Sequence, residues 1–156
     1  MAKTPRTIRV AAMDYLSRRE HATHELFQKL LAKAEYEADD ISEALVRLTD
    51  QGLLSDERFT EAFIHQRINR GSGPLKIRAE LRQKGISDAM IGTFLNERDK
   101  LWQESALAVR IKKYGSERPS DLKETARQSR FLQSRGFTSE QTRYAMLTTS
   151  VLPANQ

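Results

Sequence analysis

Apolar side chains recur along this chain at intervals of three and four residues, the period of an amphipathic helix, and alternating β-branched runs are missing. Start and stop signals around each apolar group delimit the elements. Thr23 is placed to cap a helix carrying Leu26, Leu30 and Leu31. Asp39 or Asp40 is placed to cap one with Ile41, Ala44, Leu45 and Leu48, stopping at Gly52. Ser55 and Asp56 precede a helix with Phe59, Ala62 and Phe63 that ends at Gly71. Pro74 suits the first position of the next, where its missing N–H costs nothing; that helix carries Ile77 and Leu81 and ends at Gly85. Ser87 caps a helix with Ile91, Phe94 and Leu95. Further on, Trp102, Ala106, Val109 and Ile111 precede Gly115, and Ser120 starts a helix with Leu122, Ala126, Phe131 and Leu132 that ends at Gly136. Thr138 and Gln141 have capping-box spacing ahead of Tyr144, Met146 and Leu147. The pattern predicts an all-α chain of nine helices.

The helices repeat. "LRQKGISDAMIGTFL" (81–95) and "LQSRGFTSEQTRYAM" (132–146) share Leu, three residues, Gly, an apolar residue and then Ser or Thr. "LLAKAEYEADDISEAL" (30–45) is a looser copy without the Gly. Tyr36, Ile86 and Phe137 correspond, at spacings of 50 and 51. A period of that length predicts a tandem array of three-helix units over 1–57, 58–100 and 101–156, each too small to bury its apolar face alone. Ile77, Leu81, Ile91, Phe94 and Leu95 are the expected core of the middle unit.

Charge changes the picture more than composition does. The net charge of +5 is uneven: residues 1–57 hold 8 basic and 11 acidic side chains, whereas 58–100 and 101–156 each hold 9 and 5. A partner surface for nucleic acid or an acidic protein is therefore expected in the middle and C-terminal parts. The absence of cysteine excludes disulfides, thiolate catalysis and Cys-ligated zinc. No apolar run long enough to span a membrane and no secretory h-region occurs, so a cytoplasmic setting is expected.

Candidate chemistry narrows quickly. Gly71-Ser-Gly-Pro-Leu-Lys76 lacks Walker A spacing and a preceding strand, and reads as a helix stop followed by a helix start. Residues 81–95 have helix-turn-helix offsets, but the second helix would open with Asp88, Ala89 and Met90, putting an acid toward phosphates. His21 and His24 lack zincin spacing, His65 stands alone, and no nucleophile–base array is evident. What remains is the stretch 66–87, where Arg67, Arg70, Lys76, Arg78, Arg82 and Lys84 face a single acid, Glu80. Arg78 and Arg82 are four apart and expected on one exposed face. These six cations are the candidate partner-binding surface.

"YLSRREHATHELFQKLLAK" (15–33), "LSDERFTEAFIHQRINRGSGPLKIRAELRQKGIS" (54–87) and "RFLQSRGFTSEQTR" (130–143) resemble the bacterial RecX regulatory proteins, in the family's order and over nearly the whole chain. The resemblance implies a cytoplasmic, non-enzymatic protein without cofactors, built as a curved, elongated array of three three-helix units. It implies binding in the groove of the RecA–DNA filament. The implied outcome is inhibition of RecA ATPase, strand exchange and coprotease activity, in recombination, DNA repair and the SOS response. DNA, single- or double-stranded, is a second candidate partner, and no membrane or small-molecule substrate is implied. The alternative reading is a general DNA-binding helical protein without a RecA target.

Overall fold

The computed structural model describes residues 6–149. The tail assigned to the first expected unit (1–5) and the end of the third (150–156) lie outside the described residues. Among the described residues the chain is all-α: α1 (Ile8–Arg18), α2 (Thr23–Leu31), α3 (Ala38–Asp50), α4 (Asp56–Asn69), α5 (Pro74–Gln83), α6 (Asp88–Phe94), α7 (Leu101–Tyr114), α8 (Leu122–Ser134) and α9 (Ser139–Leu147).

Capping explains where several of these begin. The Thr138–Gln141 capping box is complete, each side chain bonding the other's backbone N–H. Ser87 Oγ accepts from Met90 N at the start of α6. Three expectations shift. Thr23 is not the cap of α2; its N–H and hydroxyl both donate to Asp56 Oδ1, at 2.7 and 3.0 Å, so a carboxylate from the start of α4 serves the start of α2. Asp39 and Asp40 lie in the first turn of α3, behind Glu37, where they complement the helix dipole. Asp121 rather than Ser120 caps α8, which leaves Leu122 88% exposed.

The chain gathers into two compact units. The first contains the described residues up to Phe63 together with Leu81–Ile91. Its core is Ala11, Ala12, Leu26, Leu30, Ile41, Leu45, Leu48 and Leu54, where α1, α2 and α3 meet. The second contains Ile64–Glu80 and the described residues from Gly92 onward, with α7, α8 and α9 packed on one another around Trp102, Ala106, Leu107, Leu132, Phe137 and Ala145. The stretch 58–100 contributes to both. Ile77, Leu81, Ile91 and Leu95 are buried as expected, whereas Phe94 is only half-buried.

The repeated Leu-x-x-x-Gly register has a physical origin. At 81–86 and again at 132–137 the glycine takes a positive φ, and the next N–H reaches back to the leucine carbonyl. This closes the helix while burying the leucine and the following apolar residue. The looser copy turns differently: Ala34 stands at the equivalent position with φ 58°, but the Leu30 carbonyl accepts from Lys33 N–H and the Leu31 carbonyl from Ala34 N–H. Leu30, Leu81 and Leu132 are each fully buried, so truncating any one to alanine costs about 2–5 kcal/mol.

Candidate functional site

The Gly-Ser-Gly-Pro break is a packing joint inside the second unit. Gly73 N–H donates to the Arg135 carbonyl at 2.7 Å, and Leu75 N–H donates to the Gly136 carbonyl at 2.9 Å. The turn after α8 thereby satisfies an orphan donor at the start of α5. A Cβ on Gly73 would collide with the backbone of Gly136 and Phe137, which are not free to move aside. The residues flanking this joint are what the sequence offered as a partner surface.

Of the six candidate cations, Arg67, Arg70, Lys76 and Arg78 belong to the second unit and Arg82 and Lys84 to the first. Arg67 Nε, on α4, lies 3.0 Å from Glu80 Oε2, on α5 across the break. Arg78 is bound to Glu97, and only about a fifth of its side chain is exposed. Arg82 pairs with Asp88 at 2.7 Å, the residue that opens α6. Arg78 and Arg82 thus turn to different acids instead of forming one bare face.

Lys84 is drawn furthest into the fold. Its Nζ donates to Glu25 Oε2 at 2.6 Å, and Arg19 grips the same carboxylate through two bonds of 3.0 and 2.9 Å. Burial raises the Glu25 pKa, but the hydrogen bonds from Arg19 and Lys84 outweigh it and hold the group at about 2. Beside it, His21 is buried and accepts from Lys29 Nζ through Nε2, which leaves Nδ1–H to donate to the Arg19 carbonyl. Burial and the neighbouring cations lower its pKa and keep it neutral. His24 packs against Gly85. Among the described residues no cluster of three or more His, Cys, Asp or Glu side chains is placed to hold a metal.

Arg70 and Lys76 remain as exposed cations with no carboxylate within ion-pair distance among the described residues. Arg70 also borders a cleft of about 390 Å³ in the second unit, along with Lys112, Lys113 and Arg135. These last three were not picked out from the sequence. Lys112 and Lys113 stand in the last turn of α7 and Arg135 follows the end of α8, and only the packing of α7 against α8 and α9 brings them to one opening.

Comparison with known proteins agrees with this architecture. Residues 9–48, 55–95 and 101–146 match the first, second and third three-helix domains of RecX, in that order. The regulatory protein RecX of Halorhodospira halophila is 42% identical over 138 residues, covering 88% of this chain and 85% of that one. The regulatory protein RecX of Pseudomonas syringae pv. tomato is 43% identical over 134 residues, covering 86% of each. The crystal structure of RecX from Lactobacillus salivarius superposes with a TM-score of 0.75 over 89% of this chain and 92% of that one, at 24% identity. Among the described residues no helix is long and apolar enough to cross a membrane. With all three domains present in order and relatives above 40% identity along most of its length, the chain belongs to the RecX family of regulatory proteins.

Proposed function

We propose that this chain is a cytoplasmic, non-enzymatic regulator that binds the RecA filament on DNA and inhibits its ATPase, strand exchange and coprotease activities, in recombination, DNA repair and the SOS response. The observation that carries the reading is the ordered match of all three RecX domains over residues 9–146. In this reading the three helical units, bounded near residues 57 and 100, span successive recombinase subunits. To inhibit, the protein must bind one filament state better than another; a tenfold bias takes about 1.4 kcal/mol of differential affinity.

The partner surface in this proposal is the set Arg67, Arg70, Lys76, Arg78, Arg82 and Lys84, with unequal shares. Arg70 and Lys76 carry charge that no acid among the described residues offsets within ion-pair distance, so they act as the primary contacts. The other four are ion-paired and contribute chiefly by shaping the surface.

The alternative, general DNA binding without a recombinase target, is separated by salt. If single-stranded DNA phosphates were met by all six cations, log affinity would fall against log salt with a slope of roughly −4; if only by Arg70 and Lys76, of about −1.4. The proposal expects a shallow slope for free DNA and filament binding that persists at salt abolishing free-DNA binding. Binding to filament and bare DNA lost in parallel as salt rises would favour the alternative.

A further inference from the structure

We propose that the basic cleft of the second unit is a docking site for an acidic peptide segment that places one aliphatic side chain between carboxylates. The cleft, of about 390 Å³, is within the size range of pockets that hold one or two side chains with their backbone. Arg70, Lys112, Lys113 and Arg135 border it, and among the described residues no acidic one lines it. The C-terminal ends of α4, α7 and α8 border it and each contributes roughly half a negative charge. Against four cations that leaves the opening net positive. Among the described residues none of the four has a carboxylate within ion-pair distance.

Two of these cations are held in place without being neutralised. Lys113 Nζ sits 3.9 Å from the centroid of the Phe131 ring, and the Arg135 guanidinium lies 5.2 Å from it. Tyr114 braces that ring edge-on at 5.6 Å. Aromatic faces orient a cation while leaving its N–H groups for an incoming acid. The floor between them is apolar, from Ile68, Ala108 and Val109. Anchoring an aliphatic side chain there and pairing its flanking carboxylates with the rim uses every feature of the opening.

A single nucleic-acid strand fits less well. Strand-binding grooves rely on open aromatic faces on which bases stack. Here the Phe131 ring already carries the Lys113 ammonium at contact distance. The proposal is independent of the recombinase reading: of the six cations named there it shares only Arg70, and a peptide segment of any acidic protein would satisfy it.

The test is fluorescence anisotropy on the full chain with a labelled Glu-Asp-Leu-Glu-Asp peptide, the same peptide with Ser in place of Leu, and a labelled oligothymidylate. Ala108 is exposed on α7, so Ala108→Glu puts a carboxylate at the cleft floor without opening the core. Lys112→Glu is the second variant, and thermal melts establish that both fold. The expected result is saturable binding of the Leu peptide, weakened at least about tenfold by Ala108→Glu, by Lys112→Glu and by loss of the Leu anchor. Absence of binding, indifference to Ala108→Glu, or equal affinity for the Ser peptide would overturn the proposal. So would displacement of the peptide by oligothymidylate with the same sensitivity to Ala108→Glu, which would make the cleft a nucleic-acid site. None of these variants touches Arg70 or Lys76, so failure here leaves the filament proposal standing.

Discussion

Arg110 is fully buried, yet among the described residues no carboxylate lies within ion-pair distance of it. Its Nε donates to the Ala145 carbonyl at 2.7 Å, Nη2 to that of Thr148 at 3.0 Å, and Nη1 to that of Glu117 at 2.8 Å. One guanidinium thus satisfies the C-terminal end of α9 and the turn after α7 together, and a cation there also suits the helix dipole. Burial lowers its pKa, but arginine's is so high that it stays charged. Arg110→Met should cost at least about 3 kcal/mol in urea unfolding, because several carbonyls lose their donor at once. Arg110→Lys should rescue little, since one ammonium cannot reach in three directions. Glu25 gives a pH signature. Its folded pKa of about 2 lies below the ordinary 4.5, so its contribution is complete above about pH 4.5 and is lost as pH falls toward 2. The shift corresponds to on the order of 3 kcal/mol, trimmed by the partial exposure of Arg19 and Lys84. Glu25→Gln should flatten that part of the stability–pH curve, and an unchanged curve would remove the carboxylate from the account.

At the scale of elements, the joint between α5 and the turn after α8 sets a pair of opposite expectations. Gly73→Ala drives a methyl into the backbone of Gly136 and Phe137, and should destabilise by about 1–3 kcal/mol or more. Gly92 lies inside α6 with open space where a Cβ would stand, so Gly92→Ala should stabilise by up to about 1 kcal/mol. Thermal melts of the two variants moving in the same direction would contradict the packing described here. Much at this scale was legible in advance, because helix ends are written in local chemistry: Pro74, Ser87, the Thr138–Gln141 box and the glycine stops all fall where residue type alone places them. What escaped was non-local. Thr23 resembles a cap, but Asp56, 33 residues away, provides the acceptor. Arg110 sits between apolar neighbours and reads as a solvent position until the end of α9 folds onto it. The six cations stand close together along the sequence. Two of their acids do not: Glu97 is 19 residues from Arg78 and Glu25 is 59 from Lys84. Lys112, Lys113 and Arg135 become a cleft only through tertiary packing.

For the whole molecule, the charge asymmetry is put to different uses in the two units. In the first, Glu25 absorbs Arg19 and Lys84, and cations serve the fold. In the second, Arg70, Lys76, Lys112, Lys113 and Arg135 face solvent or the cleft without a carboxylate in ion-pair range among the described residues. A regulator of a protein–DNA filament needs charge of that second kind, since a side chain already paired must break its pair before meeting a partner. The most direct measurement is RecA ATPase on single-stranded DNA, with substoichiometric wild-type protein and with Arg70→Glu combined with Lys76→Glu. Both positions are exposed, so the double variant should melt within about 0.5 kcal/mol of wild type. The account predicts that wild type suppresses the ATPase and that the folded double variant loses at least about tenfold in potency. Wild-type protein that leaves the ATPase unchanged, or a folded double variant as potent as wild type, would contradict it.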